Sequence, residues 1–188
     1  MAHLIVITGP SGVGKGTLIT LLRERIASVR LSISATTREP RQGERDGVDY
    51  HFLADDAFDV LIAEGAFAEH ARYAGKQYGT LLTELDERDG AEDVIVLEIE
   101  LQGARQIRQS MPSALQVFIA PPSFDSLRER LVRRGTDSAQ TIDERLAVAR
   151  EELGAQDEFS EVIVNDNLDN AVEALERLVQ GQLRGAID

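Results

Sequence analysis

The chain has 188 residues, with 20 Lys and Arg against 33 Asp and Glu, for a formal charge of −13. Nucleic acid and anionic membrane surfaces need broad positive fields to release counterions or hold headgroups, so this balance excludes both as general partners. The absence of cysteine removes disulfides, zinc thiolate sites, iron–sulfur clusters and a thiol nucleophile together.

Taken in chain order, short apolar runs alternate with amphipathic stretches. Leu4 to Thr8 predicts a buried strand, and Lys15 to Ala27 a helix with Leu18, Leu21, Leu22 and Ile26 at helical spacing. The rhythm returns after residue 92: strand 93–99, helix 104–110, strand 115–119, helices 124–133 and 138–158, strand 162–164, helix 169–183. Alternation of this kind predicts an α/β fold with a largely parallel sheet covered on both faces. Between the two blocks, SATTREPRQGERDG is polar and turn-rich, and short strands at 48–52 and 67–73 flank a helix at 56–64. That interruption predicts an inserted lobe with mixed antiparallel pairing. A second one, RRGTDSAQ at 133–140, joins two helices through Gly135, with Asp137 and Gln140 spaced as a capping box. The expected organisation is one domain: a core of 1–33, 89–124 and 159–188, a lobe at 34–88 and a helical lid at about 125–158. The first apolar run is too short for a signal peptide, and no run reaches membrane-spanning length, so a cytoplasmic location is expected.

Gly9-Pro10-Ser11-Gly12-Val13-Gly14-Lys15-Gly16-Thr17 lies between the first strand and the first helix, the context a phosphate-binding loop requires. Glycines let consecutive backbone N–H groups converge on phosphate oxygens, the helix N-terminus adds its dipole, and Lys15 can bridge the outer phosphates. Two glycines and a lysine at this spacing arise by chance on the order of once in a hundred chains of this composition. The strict pattern places Ser or Thr directly after the lysine, whereas here Gly16 precedes Thr17, so the hydroxyl that binds Mg²⁺ in many such loops is displaced.

Ser34-Ala35-Thr36-Thr37-Arg38-Glu39-Pro40-Arg41-Gln42-Gly43-Glu44, followed by Gly47-Val48-Asp49-Tyr50-His51-Phe52, strongly resembles the guanylate kinase family. The likeness continues through Phe67-Ala68-Glu69-His70, Gln77-Tyr78-Gly79-Thr80, Leu97 to Gly103, Arg133 to Thr136 and Val164-Asn165-Asp166. The resemblance implies a nucleoside-monophosphate kinase of the P-loop type, moving the γ-phosphoryl of ATP to GMP. It implies that Arg38, Arg41, Tyr50 and Tyr78 hold the GMP phosphate, and that Ser34, Glu69 and Thr80 face guanine. Planar guanidinium forks and phenolic hydroxyls are chemically suited to a phosphate. Glu98 and Glu100, alternating on one side of a strand, would reach an Mg²⁺ water shell or substrate hydroxyls; the family usually has Asp at the second of these positions. Thr17 and Glu100 are candidate outer contacts to the metal, with no direct protein ligand assigned. Lid arginines Arg130, Arg134 and Arg145 would close on the ATP phosphates, and Asn165 would contact adenine. The expected catalytic set is Lys15, Arg134 and Arg145.

Two other readings use the same fold: a binding module for phosphorylated peptides, which would not need Lys15, and a kinase of phosphorylated sugars, which would not need Glu69. The sequence carries no signal for oligomeric state.

Overall fold

The computed structural model describes residues 3–73, 75–86, 93–135 and 138–184, and the side chain of Arg134 lies outside the described set. Strand β1 (His3–Thr8) leads through the glycine loop into helix α1 (Lys15–Arg25), two residues shorter than predicted. The short strand β2 (Val29–Leu31), which carries too few residues for a periodicity signal, follows at once. After the middle segment come β7 (Val94–Glu98), α3 (Leu101–Ser110), β8 (Leu115–Ala120), α4 (Phe124–Arg134), α5 (Ala139–Gly154), β9 (Glu161–Val164) and α6 (Leu168–Arg184). The five core strands run in the order β2-β7-β1-β8-β9 and every pairing is parallel, as the alternating pattern predicts.

The core strands are mostly apolar because the sheet is buried on both sides, and charged residues such as Arg30, Glu98 and Glu161 fall on edge strands or at strand ends. Ile5 and Ile7 of β1 point into a core with Leu18 and Leu22 of α1 and Val172 and Leu175 of α6. Val6 points the other way, into a core with Leu97, Ile107 of α3 and Phe118. With β1 flanked by β7 and β8, the chain changes direction of progress across the sheet at the carboxyl end of β1. A crevice opens there by topology alone.

The middle segment forms a second sheet. Strands β3 (Ala35–Thr36), β4 (His51–Phe52), β5 (Phe67–Tyr73) and β6 (Lys76–Leu81) take the order β4-β3-β6-β5, with β3 parallel to β4 and β6 antiparallel to both β3 and β5. Helix α2 (Asp55–Ala63) packs on it through Phe58, which stacks on Phe67 at 4.4 Å between centroids. The strand expected over 48–52 shrinks to its last two residues, because the preceding turn is tied up by Asp49 and Asp46 carboxylates accepting from Arg45 and Phe52 N–H groups. β3 and β6 escape the pattern: one is two residues long and the other is interrupted by Gly79.

One acid joins the two sheets. Glu84, in the 3₁₀ turn Leu82–Leu85, accepts from the Ile33 N–H and from His51 Nε2, while Arg30 of β2 donates to the backbone carbonyls of Glu84 and Asp86. On the far side, α4 starts at a reciprocal Ser123/Ser126 cap and stops at Gly135, whose φ of 66° only glycine adopts without strain. The cap of α5 is Ser138, accepting from the Thr141 N–H, and not Asp137, which lies outside the described residues. The long helix expected to residue 158 ends at Gly154 and continues as a 3₁₀ turn, Gln156–Glu158.

Candidate functional site

An open cavity of about 970 Å³ lies at the carboxyl end of β1, walled by the glycine loop on one side and by the second sheet on the other. The loop's shape is set by close approach. Gly9 has φ of 140°, and a Cβ there would collide with the Ile119 carbonyl; Gly14 has φ of 103°, and a Cβ there would lie 2.8 Å from Asn165 Nδ2. Neither position tolerates a side chain, so the backbone itself faces the cavity, with the unpaired N–H groups of the first turn of α1 at its floor.

Ser11, Gly12, Val13, Gly14, Lys15, Gly16 and Thr17 all reach the cavity wall. Lys15 Nζ donates to the Gly9 carbonyl at 2.6 Å and to that of Pro10 at 3.4 Å. The loop is braced from behind. Arg130 of α4 donates to the Val13 carbonyl at 3.1 Å and to the Asn165 carbonyl at 2.8 Å, and the Asn165 amide donates to the same Val13 carbonyl at 2.8 Å. Asn165 is 6% exposed, so the amide expected at adenine is also a strut of the loop. Arg134 closes α4. Arg145, half-buried on α5, interacts electrostatically with Tyr73, itself a cavity residue.

Across the cavity, Arg38 donates from both terminal guanidinium nitrogens to Glu44, at 2.9 and 3.0 Å. That bond raises Arg38 further and holds the Glu44 carboxyl below the usual carboxylate range. The fork lies over the Tyr50 ring at 5.2 Å, and Tyr50 meets Tyr78 edge-on with centroids 6.3 Å apart. Arg41, exposed on the same loop, and Ser34 complete this wall. Burial is the main reason the Tyr50 hydroxyl titrates above its ordinary value. Glu44 belongs to the motif read from sequence, but its grip on Arg38 comes from a loop that folds back over six residues, and no periodicity signals that.

Glu69 is 4% exposed. Its Oε1 accepts from the hydroxyl of fully buried Thr80 at 2.7 Å, so Thr80 reaches the cavity through this carboxylate. Burial pushes the Glu69 carboxyl up to about 7, with the Glu100 charge adding to the rise and the Thr80 bonds opposing it. Glu98 is also raised by burial, while Lys15 pulls it back. Glu100 is not beside Glu98 on a strand: β7 ends at Glu98, and Glu100 is the N-cap of α3. The turn between them aims Glu100 toward α5, where Glu152, 4% exposed, hydrogen-bonds it and is raised by burial and then by that partner's charge. Glu152 has no local sequence signal, since on an amphipathic helix it reads as one more surface acid.

The architecture and the motif order can be set against known proteins. The family model described as Guanylate kinase matches residues 1–182. A guanylate kinase of Synechococcus sp. (strain CC9902) is 52% identical over 185 residues, covering 97% of this chain and 99% of that protein. One from Streptomyces coelicolor is 49% identical, covering 92% and 88%. The crystal structure of guanylate kinase from Anaplasma phagocytophilum superposes with a TM-score of 0.77 at 27% identity, over 96% of this chain and 86% of that one. A glycine loop at the crevice of a parallel sheet, a facing lobe with paired arginine and tyrosines, and full-length likeness at half identity converge: the chain belongs to the guanylate kinase family.

Proposed function

We propose that this protein transfers the γ-phosphoryl of ATP to GMP, giving ADP and GDP. The observation that carries the reading is the pairing, across one cavity, of a backbone phosphate cradle with a buried carboxylate, Glu69, beside an arginine and tyrosine cluster. The loop 9–17 takes the donor phosphates on its N–H groups and Lys15. Arg38, Arg41, Tyr50 and Tyr78 take the GMP phosphate, and Ser34 and Glu69, the latter backed by Thr80, read the base. Residues 34–88 are assigned as the acceptor lobe and 125–158 as the lid, with Arg130, Arg134 and Arg145 assigned to the donor phosphates in the closed state.

Transfer needs no covalent intermediate, since positioning and charge neutralisation lower the barrier. Lys15 shifts from the Gly9 carbonyl to the bridging oxygens, exchanging a neutral acceptor for a charged one. Closure of the lid excludes water, which would otherwise hydrolyse ATP.

Among the described residues no group of three or more acidic or histidine side chains converges to hold a bare cation. A Cβ on Gly16 would lie 3.7 Å from Glu98 Oε2, so that half-buried carboxylate stands beside the first helical turn, where the phosphates are expected. This donor set fits Mg²⁺ held by phosphates and water, with Glu98 and Thr17 the residues that would contact its water shell; so bound, the ion would supply charge neutralisation at the phosphate oxygens. Glu100, turned to Glu152, serves the acceptor side. No described helix is long and apolar enough to cross a membrane, and the reading places the protein in the cytoplasm with the free nucleotides it uses.

Guanine offers two adjacent donors, N1–H and the N2 amine, which one ionised carboxylate accepts together; adenine offers neither. AMP would leave the buried Glu69 facing a lone pair, so kcat/KM for GMP should exceed that for AMP by about 10⁴, with IMP between. Steady-state turnover of the three nucleotides with ATP is the test, and equal use of AMP removes Glu69 from base reading.

A further inference from the structure

Gly103 stands in the third position of α3, buried, where alanine would favour the helix. Its φ is not in the left-handed region that calls for glycine, so backbone conformation does not explain it. Space does. A Cβ at Gly103 would collide with Glu69 Oε2 and lie 2.9 Å from its Cδ and 3.4 Å from its Cγ, and these are its nearest neighbours. The Glu69 carboxylate therefore rests directly on the bare backbone of α3.

Three further features hold it there. The β5–β6 register shifts between Phe67 and Glu69, a bulge that re-aims the side chain of the residue that follows. One turn along α3, Gln106 clamps the next residue of β5 from both sides: its Oε1 accepts from the His70 N–H at 3.1 Å and its Nε2 donates to the His70 carbonyl at 2.7 Å. Thr80 fixes Oε1 from the opposite strand. Neither Gly103 nor Gln106 lines the cavity.

We propose that Gly103 and Gln106 are positioning residues for base selection: α3 docks on β5 through the Gln106 clamp, and the missing side chain at Gly103 leaves the seat in which the Glu69 carboxylate is held against guanine. The inference rests on Glu69 being the base-reading group. Because the atom that a Cβ would displace is the far end of a side chain and not backbone, a larger residue at 103 moves the reading group before it moves the fold.

The test measures kcat/KM for GMP, IMP and AMP, the KM for ATP, and thermal unfolding, in Gly103→Ala, Glu69→Asp, their combination, and Gln106→Ala. Displacement of a reacting group by about 1 Å costs about 10² in rate. Gly103→Ala should therefore lose about that factor with GMP and little with AMP, compressing the preference, while ATP KM and the unfolding midpoint hold. Adding Glu69→Asp, which withdraws the carboxylate by a methylene, should cost less in the Gly103→Ala background than in the wild type. An unaltered GMP-to-AMP ratio in Gly103→Ala overturns the proposal, as does a parallel loss of ATP affinity, which marks a general fold defect. Should that variant fail to fold, Gln106→Ala carries the decision, with about a tenfold compression expected from two lost hydrogen bonds and an unchanged ratio overturning it. A wild type that shows no preference for GMP instead removes the Glu69 reading itself.

Discussion

Lys15 and Arg130 rest on backbone carbonyls, whereas Arg38 across the same cavity is gripped by the Glu44 carboxylate. Both kinds of contact have a cationic donor, but a carboxylate adds the attraction of opposite charges that a neutral carbonyl lacks. A phosphate arriving at the glycine loop thus recruits Lys15 from a weak neutral acceptor. At the lobe, the arriving phosphate must share a fork already committed to an anion. The two walls differ because they are made differently: the loop is shaped by backbone with no room for side chains at Gly9 and Gly14, while the part of the lobe that carries Arg38 is the short strands β3 and β4 with the polar turns between them, which are tied by side-chain pairs such as Arg38–Glu44 and His51–Glu84. Preorganisation by backbone leaves the cations free to follow the reaction. Preorganisation by ion pairs holds them in place for binding.

The largest effect should come from the loop. Lys15→Ala is expected to lower kcat by at least about 10²–10³ with an unchanged circular dichroism spectrum, since the half-buried ammonium donates to loop carbonyls and carries no apolar packing of the core; near-normal turnover would end the comparison. Next is the pH dependence of the lobe. Glu69 must be ionised to accept from both guanine donors, and its carboxyl titrates at about 7, so kcat/KM for GMP should be about tenfold lower at pH 6 than at pH 8. Glu69→Gln should flatten that profile. Stability runs the other way: the folded chain keeps this proton up to about pH 7 while the unfolded chain loses it near 4.5, so its contribution is complete below 4.5 and declines as pH rises toward and through 7, by up to about 3 kcal/mol. Denaturant melts of wild type and Glu69→Gln at pH 5 and pH 8 should show the wild type losing more.

Smaller again is Glu44→Gln, which sharpens the contrast by weakening the charged grip on one side only. Freed from its partner, Arg38 loses orientation against Tyr50, and KM for GMP should rise about fivefold while KM for ATP and kcat stay put; an improved GMP affinity would mean that Glu44 competes with substrate rather than orienting the fork. The smallest effect is expected at Gly16→Ser. A Cβ there meets only Glu98 at ordinary contact distance, so the added hydroxyl fits, and the Mg²⁺ concentration for half-maximal rate should move less than about threefold. Turnover that persists in chelator would show that the metal has no part in it.

Much of this protein was written along the chain. The period of the apolar residues determined a parallel α/β core, because strands such as Leu4–Thr8 and Leu115–Ile119 are buried on both faces and helices such as 169–183 on one. The loop 9–17 was legible because its chemistry needs glycines at fixed spacing, and spacing is a local property. Tertiary structure decided what depends on distance through space. Glu69 carries its proton to about pH 7 because β5, β6 and α3 bury it together, and no window of sequence contains all three. Glu100 left the strand on which the alternation placed it, because β7 ends at Glu98 and Glu100 caps α3. Its partner Glu152 comes from 52 residues away. The acids at 69, 98, 100 and 152 are alike as letters. What separates them is how much water and which neighbours the fold leaves each one, since a charge's energy is set by its surroundings rather than by its position in the chain.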